Sequence, residues 1–469
     1  MNLTELLDQT ARRWPEKAAL IDGNRIVSYA ELVEQTAAFA SQLRTLRLPP
    51  GCRVGLCCPN SVEYVALTFA LWRIGAIVVP IPMECAKQEM LDLAATMQIE
   101  AILSQKSLGQ SLALSAECFF TRLTPDLRAD NHGLNVAFIR FTSGTTNVRK
   151  GVVLTHETIR DRIAAANEAL RVGPQDTVMW CLPMAHHFLI TIVLYLSQGA
   201  TIVLAPLVLA RSYLEAVNRW RGTVLYAAPF HYALLARDNS GADLSSVRLA
   251  VSTTCALPEA VAKDFFARFQ QPLTQGLGIM ELGLVSLNTA DPQQRWNSVG
   301  RPLEGFRVRI LAPDENGNGE VAVSGPGMFD AYAAPWISRD QAASDGWFKT
   351  GDSGRLDSEG FLFLAGHQAA IINLAGRKVF PEEIEAVLNR HPAVRESRAY
   401  GRAHAHLGEV VEAEVVLAEP GADLESVREH CRASLSSFKI PSRLHVVNGL
   451  ARTAVTGKLR RAAPVTQHG

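Results

Sequence analysis

Short apolar runs alternate with helical patterns through about residue 310. The runs Arg53–Cys57, Ile77–Ile81, Ala101–Leu103, Gly151–Leu154, Thr201–Leu204 and Arg248–Ser252 are short and rich in β-branched residues, as buried strands are. Between them, Leu91–Met97, Arg160–Leu170 and Ala260–Phe269 carry apolar residues three to four apart, the spacing of one helix face. Strand and helix in alternation predict layered α/β architecture with largely parallel sheets. From Gly305 the pattern changes. "FRVRILAPDENGNGEVAVSG" reads as two strands around an Asn-Gly turn, and "GWFKTGDSGRLDSEGFLFLAG" as a second pair. The last hundred or so residues hold two helical patterns, Pro381–Arg390 and Leu424–Ser436, among short strands such as Glu412–Leu417. The expected organisation is a large N-terminal domain over 1–365, made of layered sheets plus a β subdomain, and a small α+β domain over 366–469.

Length agrees with this division, since 469 residues exceed what one core supports. Lys plus Arg equals Asp plus Glu at 46 each, so no net field draws the chain to nucleic acid or an anionic membrane. The most membrane-like stretch, Tyr64–Met83, carries Arg73 and two prolines and reads as a buried helix running into a buried strand. "MNLTELLDQTARRWPEK" is amphipathic and charged rather than a secretory leader. The eight cysteines include no Cys-x-x-Cys pair, which speaks against structural zinc and for free thiols in a reducing cytoplasm.

The candidate chemistry centres on "FTSGTTNVRKG", residues 141–151. Glycine allows close backbone approach, hydroxyls and free N–H groups donate to an anion, and Lys150 adds a mobile charge. The register differs from the Walker pattern of nucleotide-binding loops. The loop alone is equally compatible with a polar surface turn.

Further segments extend the series. "FTSGTTNVRKGVVLTH" resembles the phosphate loop of the adenylate-forming superfamily, which includes acyl- and aryl-CoA synthetases, luciferases and peptide-synthetase adenylation domains. "LPMAHHF" (Leu182–Phe188), "VSTTCAL" (Val251–Leu257), "QGLGIMELG" (Gln275–Gly283), "GWFKTGD" (Gly346–Asp352), "LAGRKVFPEEIE" (Leu374–Glu385) and "RTAVTGKLRR" (Arg452–Arg461) are similar to further motifs of that family, in its order. The resemblance implies attack of a carboxylate on the α-phosphorus of ATP, then displacement of AMP by the thiol of coenzyme A or of a carrier protein's phosphopantetheine. It assigns Thr142, Ser143, Gly144, Thr145, Thr146 and Lys150 to the phosphates, Gly276, Leu277 and Gly278 to the adenine side, and Asp352 and His367 to the ribose. Glu281 would hold Mg²⁺. Lys458, on a C-terminal domain that rotates about "LAGHQAA", would reach the α-phosphate and the reacting carboxylate. His186 would gate the acid site, with His187, Phe188, Ala228, Phe230 and Leu277 lining it.

No acid stands at His187, where relatives that activate amino acids carry aspartate, and the apolar lining suits an aryl or fatty acid. A packed structural histidine is the other reading of His187. Asn147, Arg149, Leu277, Met280, His367, Ala369, Asn373 and Ala451 depart from the family pattern, although none removes a phosphate- or metal-binding group. Release to an amide, ester or lactone, or a nucleotide-binding protein that has lost catalysis, are the alternatives. Monomer and homodimer are both compatible with the sequence.

Overall fold

The computed structural model describes residues 2–83, 85, 87–108, 110–115, 118–123, 130–141, 150–367, 372–374, 377–379, 381–404, 408–435 and 437–450. The chain forms two compact units. The first comprises 1–308, 323–348 and 358–362, and the second 309–322, 349–357 and 363–469.

Two nine-stranded sheets, counted among the described residues, organise the first unit. In one, Ala18–Asp22, Thr201–Leu204, Thr177–Trp180, Val224–Ala227, Leu249–Ser252 and Thr274–Ile279 run parallel, neighbour to neighbour. In the other, Ala101–Ser104, Arg53–Cys57, Ile77–Pro80 and Val136–Phe141 are parallel. Both sheets end in antiparallel strands, among them Gly283–Leu287 in the first and Gly151–Thr155 in the second. The central strands are buried along their whole length, which explains why they read as unbroken apolar runs.

Helix Val62–Arg73 is apolar on nearly every side and almost wholly buried, starting at the Ser61 cap. Its Trp72 indole N–H donates to the Ala137 carbonyl at 2.8 Å, tying the helix to the Val136–Phe141 strand. Among the described residues no helix is long and apolar enough to cross a membrane.

In the second unit, Gly319–Ser324 is flanked in its sheet by Arg307–Leu311 and Phe348–Leu356, and Leu362–His367 lies next to the latter. A further sheet pairs Val394–His404 with Gly408–Leu417 over most of their length. Helices Pro381–Leu388 and Leu424–Ser434 supply Ile384, Leu388 and Val427 to its core. The α/β class and the small α+β unit follow the sequence reading. The antiparallel hairpin Ala18–Asp22 and Arg25–Ser28, which closes one edge of the first sheet, was not foreseen.

Candidate active site

Strands Val136–Phe141 and Gly151–Thr155 pair with Phe141 opposite Gly151, so the residues entering and leaving loop 142–149 are held side by side. Thr142, Ser143, Gly144, Thr145 and Thr146 lie outside the described residues, as do Asn147, Arg149, Ala369, Ala451 and Lys458. Lys150, at the loop's exit, is half-buried, with Nζ 5.0 Å from the ring centre of Tyr332. The Tyr332 hydroxyl donates to Glu281 Oε1 at 2.8 Å. Tyr332 stands opposite Val152 in the sheet, which fixes it next to the loop's exit. One ring therefore joins two candidate residues 131 positions apart, a cation on its face and a carboxylate on its hydroxyl. Burial and the Glu281 charge both raise the Tyr332 pKa, so the hydroxyl stays protonated and donating.

The backbone of Glu281 is clamped separately. Its carbonyl accepts from Arg162 Nη2 at 2.6 Å and from the Phe329 N–H at 2.7 Å. Arg162 also donates to the carbonyls of Met280 at 2.8 Å and Gly327 at 2.5 Å. Gly327 and Gly283 both have positive φ, and a Cβ on Gly327 would lie 2.4 Å from Arg162 Cγ. Glycine is therefore required for the guanidinium to thread between the two loops. Burial lowers the Arg162 pKa to about 9, partly offset by Glu281 and Asp330. Asp330 is held by the Thr155 N–H, the Thr158 hydroxyl and Arg339 at 2.8, 3.0 and 2.7 Å.

The segment Gly276–Gly278 lies on Thr274–Ile279, with an irregularity in pairing between Leu277 and Gly278. Leu277 is buried and Gly278 exposed. His186 and His187, both half-buried, end the short helix Met184–His187, and a π-helical segment Phe188–Val193 continues it. Such π segments recur at functional sites. Asn60 secures the approach, donating to the Leu182 carbonyl and accepting from the Met184 N–H. Phe188 packs on Tyr64 and Trp72 in the core. Ala228 caps helix Pro229–Ala236, whose buried side is Pro229, Tyr232 and Leu235. Phe230 faces away from it and is 66% exposed. Asp352 belongs to the second unit, where its N–H donates to the Thr350 hydroxyl at 3.0 Å. His367 ends the Leu362–His367 strand.

Arg140, Arg162 and Tyr332 escaped the sequence reading. Arg140 and Arg162 had a signal, a lone cation inside an apolar strand and one on the buried stripe of helix His156–Leu170. Tyr332 had none. Arg140 is partly buried, but its Nε is wholly enclosed and without a hydrogen-bond partner. Burial lowers its pKa to about 10, against the pull of Glu281, Tyr64 and Tyr226, so it remains a cation at neutral pH.

A carboxylate beside a tyrosine and Lys150, the residue that follows the glycine- and hydroxyl-rich segment 142–149, suits a polyphosphate and its metal ion. Mg²⁺ is bound through one or two carboxylates together with substrate phosphates and waters, not in an all-protein cage. The half-buried Glu281, with Oε1 oriented by Tyr332, fits that pattern.

Residues 7–333 match the family described as AMP-binding enzyme, and residues 383–458 its C-terminal domain. A sulfoacetate–CoA ligase of Cupriavidus necator is 27% identical, over 98% of this chain and 96% of its own. An ATP-bound RpMatB–BxBclM chimera superposes with a TM-score of 0.84 at 25% identity, covering 98% and 97% of the two chains. The amide bond synthetase McbA of Marinactinospora thermotolerans gives 0.79 at 26% identity, covering 97% and 98%. With 327 consecutive positions and a C-terminal segment both matched, the chain belongs to the AMP-binding enzyme family.

Proposed function

We propose that this chain activates a carboxylic acid with ATP and passes the acyl group to a thiol. One acid oxygen attacks the α-phosphorus, the bond to pyrophosphate breaks, and the acyl-adenylate forms. The thiol sulfur then attacks the acyl carbon and AMP leaves. The acid is ionised at neutral pH, so the first step needs no general base. It needs two anions held together and the growing charge neutralised.

The observation that carries this reading is the Lys150–Tyr332–Glu281 constellation beside loop 142–149. Thr142, Ser143, Gly144, Thr145, Thr146 and Lys150 would hold the outer phosphates. Glu281 would hold Mg²⁺, which offsets phosphate charge when bound. Gly276, Leu277 and Gly278 would face the adenine, and Asp352 with His367 the ribose. His186 and His187 would border the acid, with Phe188, Ala228 and Leu277 behind them. Lys458 would supply the cation at the reacting centre, carried by a domain that begins near Gly366.

The ligase relative supports coenzyme A as acceptor. The likeness to an amide bond synthetase favours a second reading, in which an amine takes the acyl group. Incubation with ATP, Mg²⁺, an accepted acid and either coenzyme A or a primary amine separates the two by mass spectrometry of the products. Acyl-CoA with AMP is expected, whereas amide alone would sink the thiol step.

Tyr332→Phe should raise the Mg²⁺ concentration for half-maximal pyrophosphate exchange about tenfold, the loss of one hydrogen bond to a charged acceptor. The ring would keep its contact with Phe329, so folding should be little affected. An unchanged Mg²⁺ titration would remove Glu281 from the metal site.

A further inference from the structure

Several buried donors in the first unit have no hydrogen-bond partner. Among them are Arg140 Nε, Tyr64 Oη, Trp180 Nε1, Tyr195 Oη and Ser252 Oγ. Buried polar atoms are satisfied in the great majority of cases, so a group of unfilled donors in one region calls for an explanation. These side chains are connected through the aromatic residues around the candidate acid site. Tyr64 packs on Phe188 at 5.5 Å between ring centres. Trp180 lies 6.4 Å from His187, 6.2 Å from Tyr195 and, stacked, 5.9 Å from Tyr226. Ser252 stands opposite Ala227, the residue after Tyr226.

Backbone geometry brings Tyr64 level with Arg140. Helix Val62–Arg73 connects two parallel strands, Arg53–Cys57 and Ile77–Pro80, and so runs antiparallel to both. Ile77–Pro80 is in turn parallel to Val136–Phe141. Trp72 is fixed to Ala137. From there, Tyr64 is about 12 Å back along the helix and Arg140 about 10 Å forward along the strand. The two side chains are also electrostatic neighbours.

Among the described residues no carboxylate forms an ion pair with Arg140, and Glu281 is engaged by Tyr332. A guanidinium is suited to a planar carboxylate. One reacting carboxylate has too few oxygens for all these donors, and they extend from Arg140 past Trp180 to Tyr195.

We propose that Arg140 and the Tyr64 hydroxyl form a subsite for a second anionic group on the acid, so that the substrate is a dicarboxylic rather than a purely apolar acid. This rests on the adenylation reading above. It departs from the aryl or fatty acid expected from the sequence, which shows apolar residues around the motif but not which polar atoms are left unfilled.

The test is acid-dependent ATP–pyrophosphate exchange on matched pairs, benzoate with isophthalate and hexanoate with adipate. It is run on the full chain and on Arg140→Met, Arg140→Lys and Tyr64→Phe. The wild type should favour one diacid over its partner by at least about tenfold in kcat/KM, and Arg140→Met should lower that ratio by about thirtyfold, mainly through KM. Arg140→Lys should restore part of the ratio, and Tyr64→Phe should lower it about fivefold while keeping the ring packing. Because the readout is a ratio within one protein preparation, partial unfolding cancels. A wild type that prefers monoacids, or an Arg140→Met variant that weakens both acids of a pair equally, would overturn the inference and leave adenylation standing. No exchange with any acid would overturn both.

Discussion

Replacing Lys458 by alanine should slow acyl-adenylate formation by about a thousandfold, the loss expected when one preorganised donor to a charged transition state is removed. The attacking carboxylate and the triphosphate repel each other, and the α-phosphoryl oxygens gain charge as the bond to pyrophosphate lengthens. On the proposed reading, residues 142–149 with Lys150 would hold the outer phosphates and Glu281 the metal ion, and Lys458, by the family resemblance, would supply the cation at the oxygens of the bond exchange. Thioester formation from separately supplied acyl-adenylate should fall by less than about threefold, since the sulfur attacks carbon and AMP leaves already charged. Single-turnover measurement of the two halves checks this. Equal loss in both halves would reduce Lys458 to a structural residue.

Arg162→Met should destabilise the protein by about 3 kcal/mol and, independently, disable Glu281, the carboxylate proposed to hold the metal ion. Methionine fills similar space but donates nothing. The carbonyls of Met280 and Gly327 would lose a buried charged donor, and that of Glu281 would keep only the Phe329 N–H. Leaving buried acceptors unmet is what makes the change costly. The turn carrying Glu281 would then relax, and a displacement of about 1 Å is enough to lower turnover about a hundredfold. A lowered urea midpoint together with weakened exchange, both partly recovered in Arg162→Lys, is the expected pattern. An unshifted midpoint would show that the clamp contributes little.

The sequence was most informative where one physical pattern dominated. Arg53–Cys57 and Thr201–Leu204 are buried on both faces, so their apolar runs marked the strands without ambiguity. The Asn-Gly turn marked the hairpin of Arg307–Leu311 and Gly319–Ser324. It was least informative where a side chain's role depends on a distant partner. Arg162 looks like an interruption in a helix stripe until the carbonyls of Met280, Glu281 and Gly327 are seen around it. Tyr332 sits in an unremarkable "DAYAAP", and only sheet pairing with Val152 brings it to Lys150 and Glu281. Phe230, expected to line the acid site, lies on the exposed side of its helix, opposite Pro229, Tyr232 and Leu235.

Acid-dependent exchange of labelled pyrophosphate into ATP tests the central claim most directly, because it reports formation of the acyl-adenylate without any acceptor. The account predicts exchange that requires both an acid and Mg²⁺, proceeds without coenzyme A, and is lost in Glu281→Gln. Exchange absent across aryl, fatty and dicarboxylic acids, from a protein that still binds ATP, would contradict it.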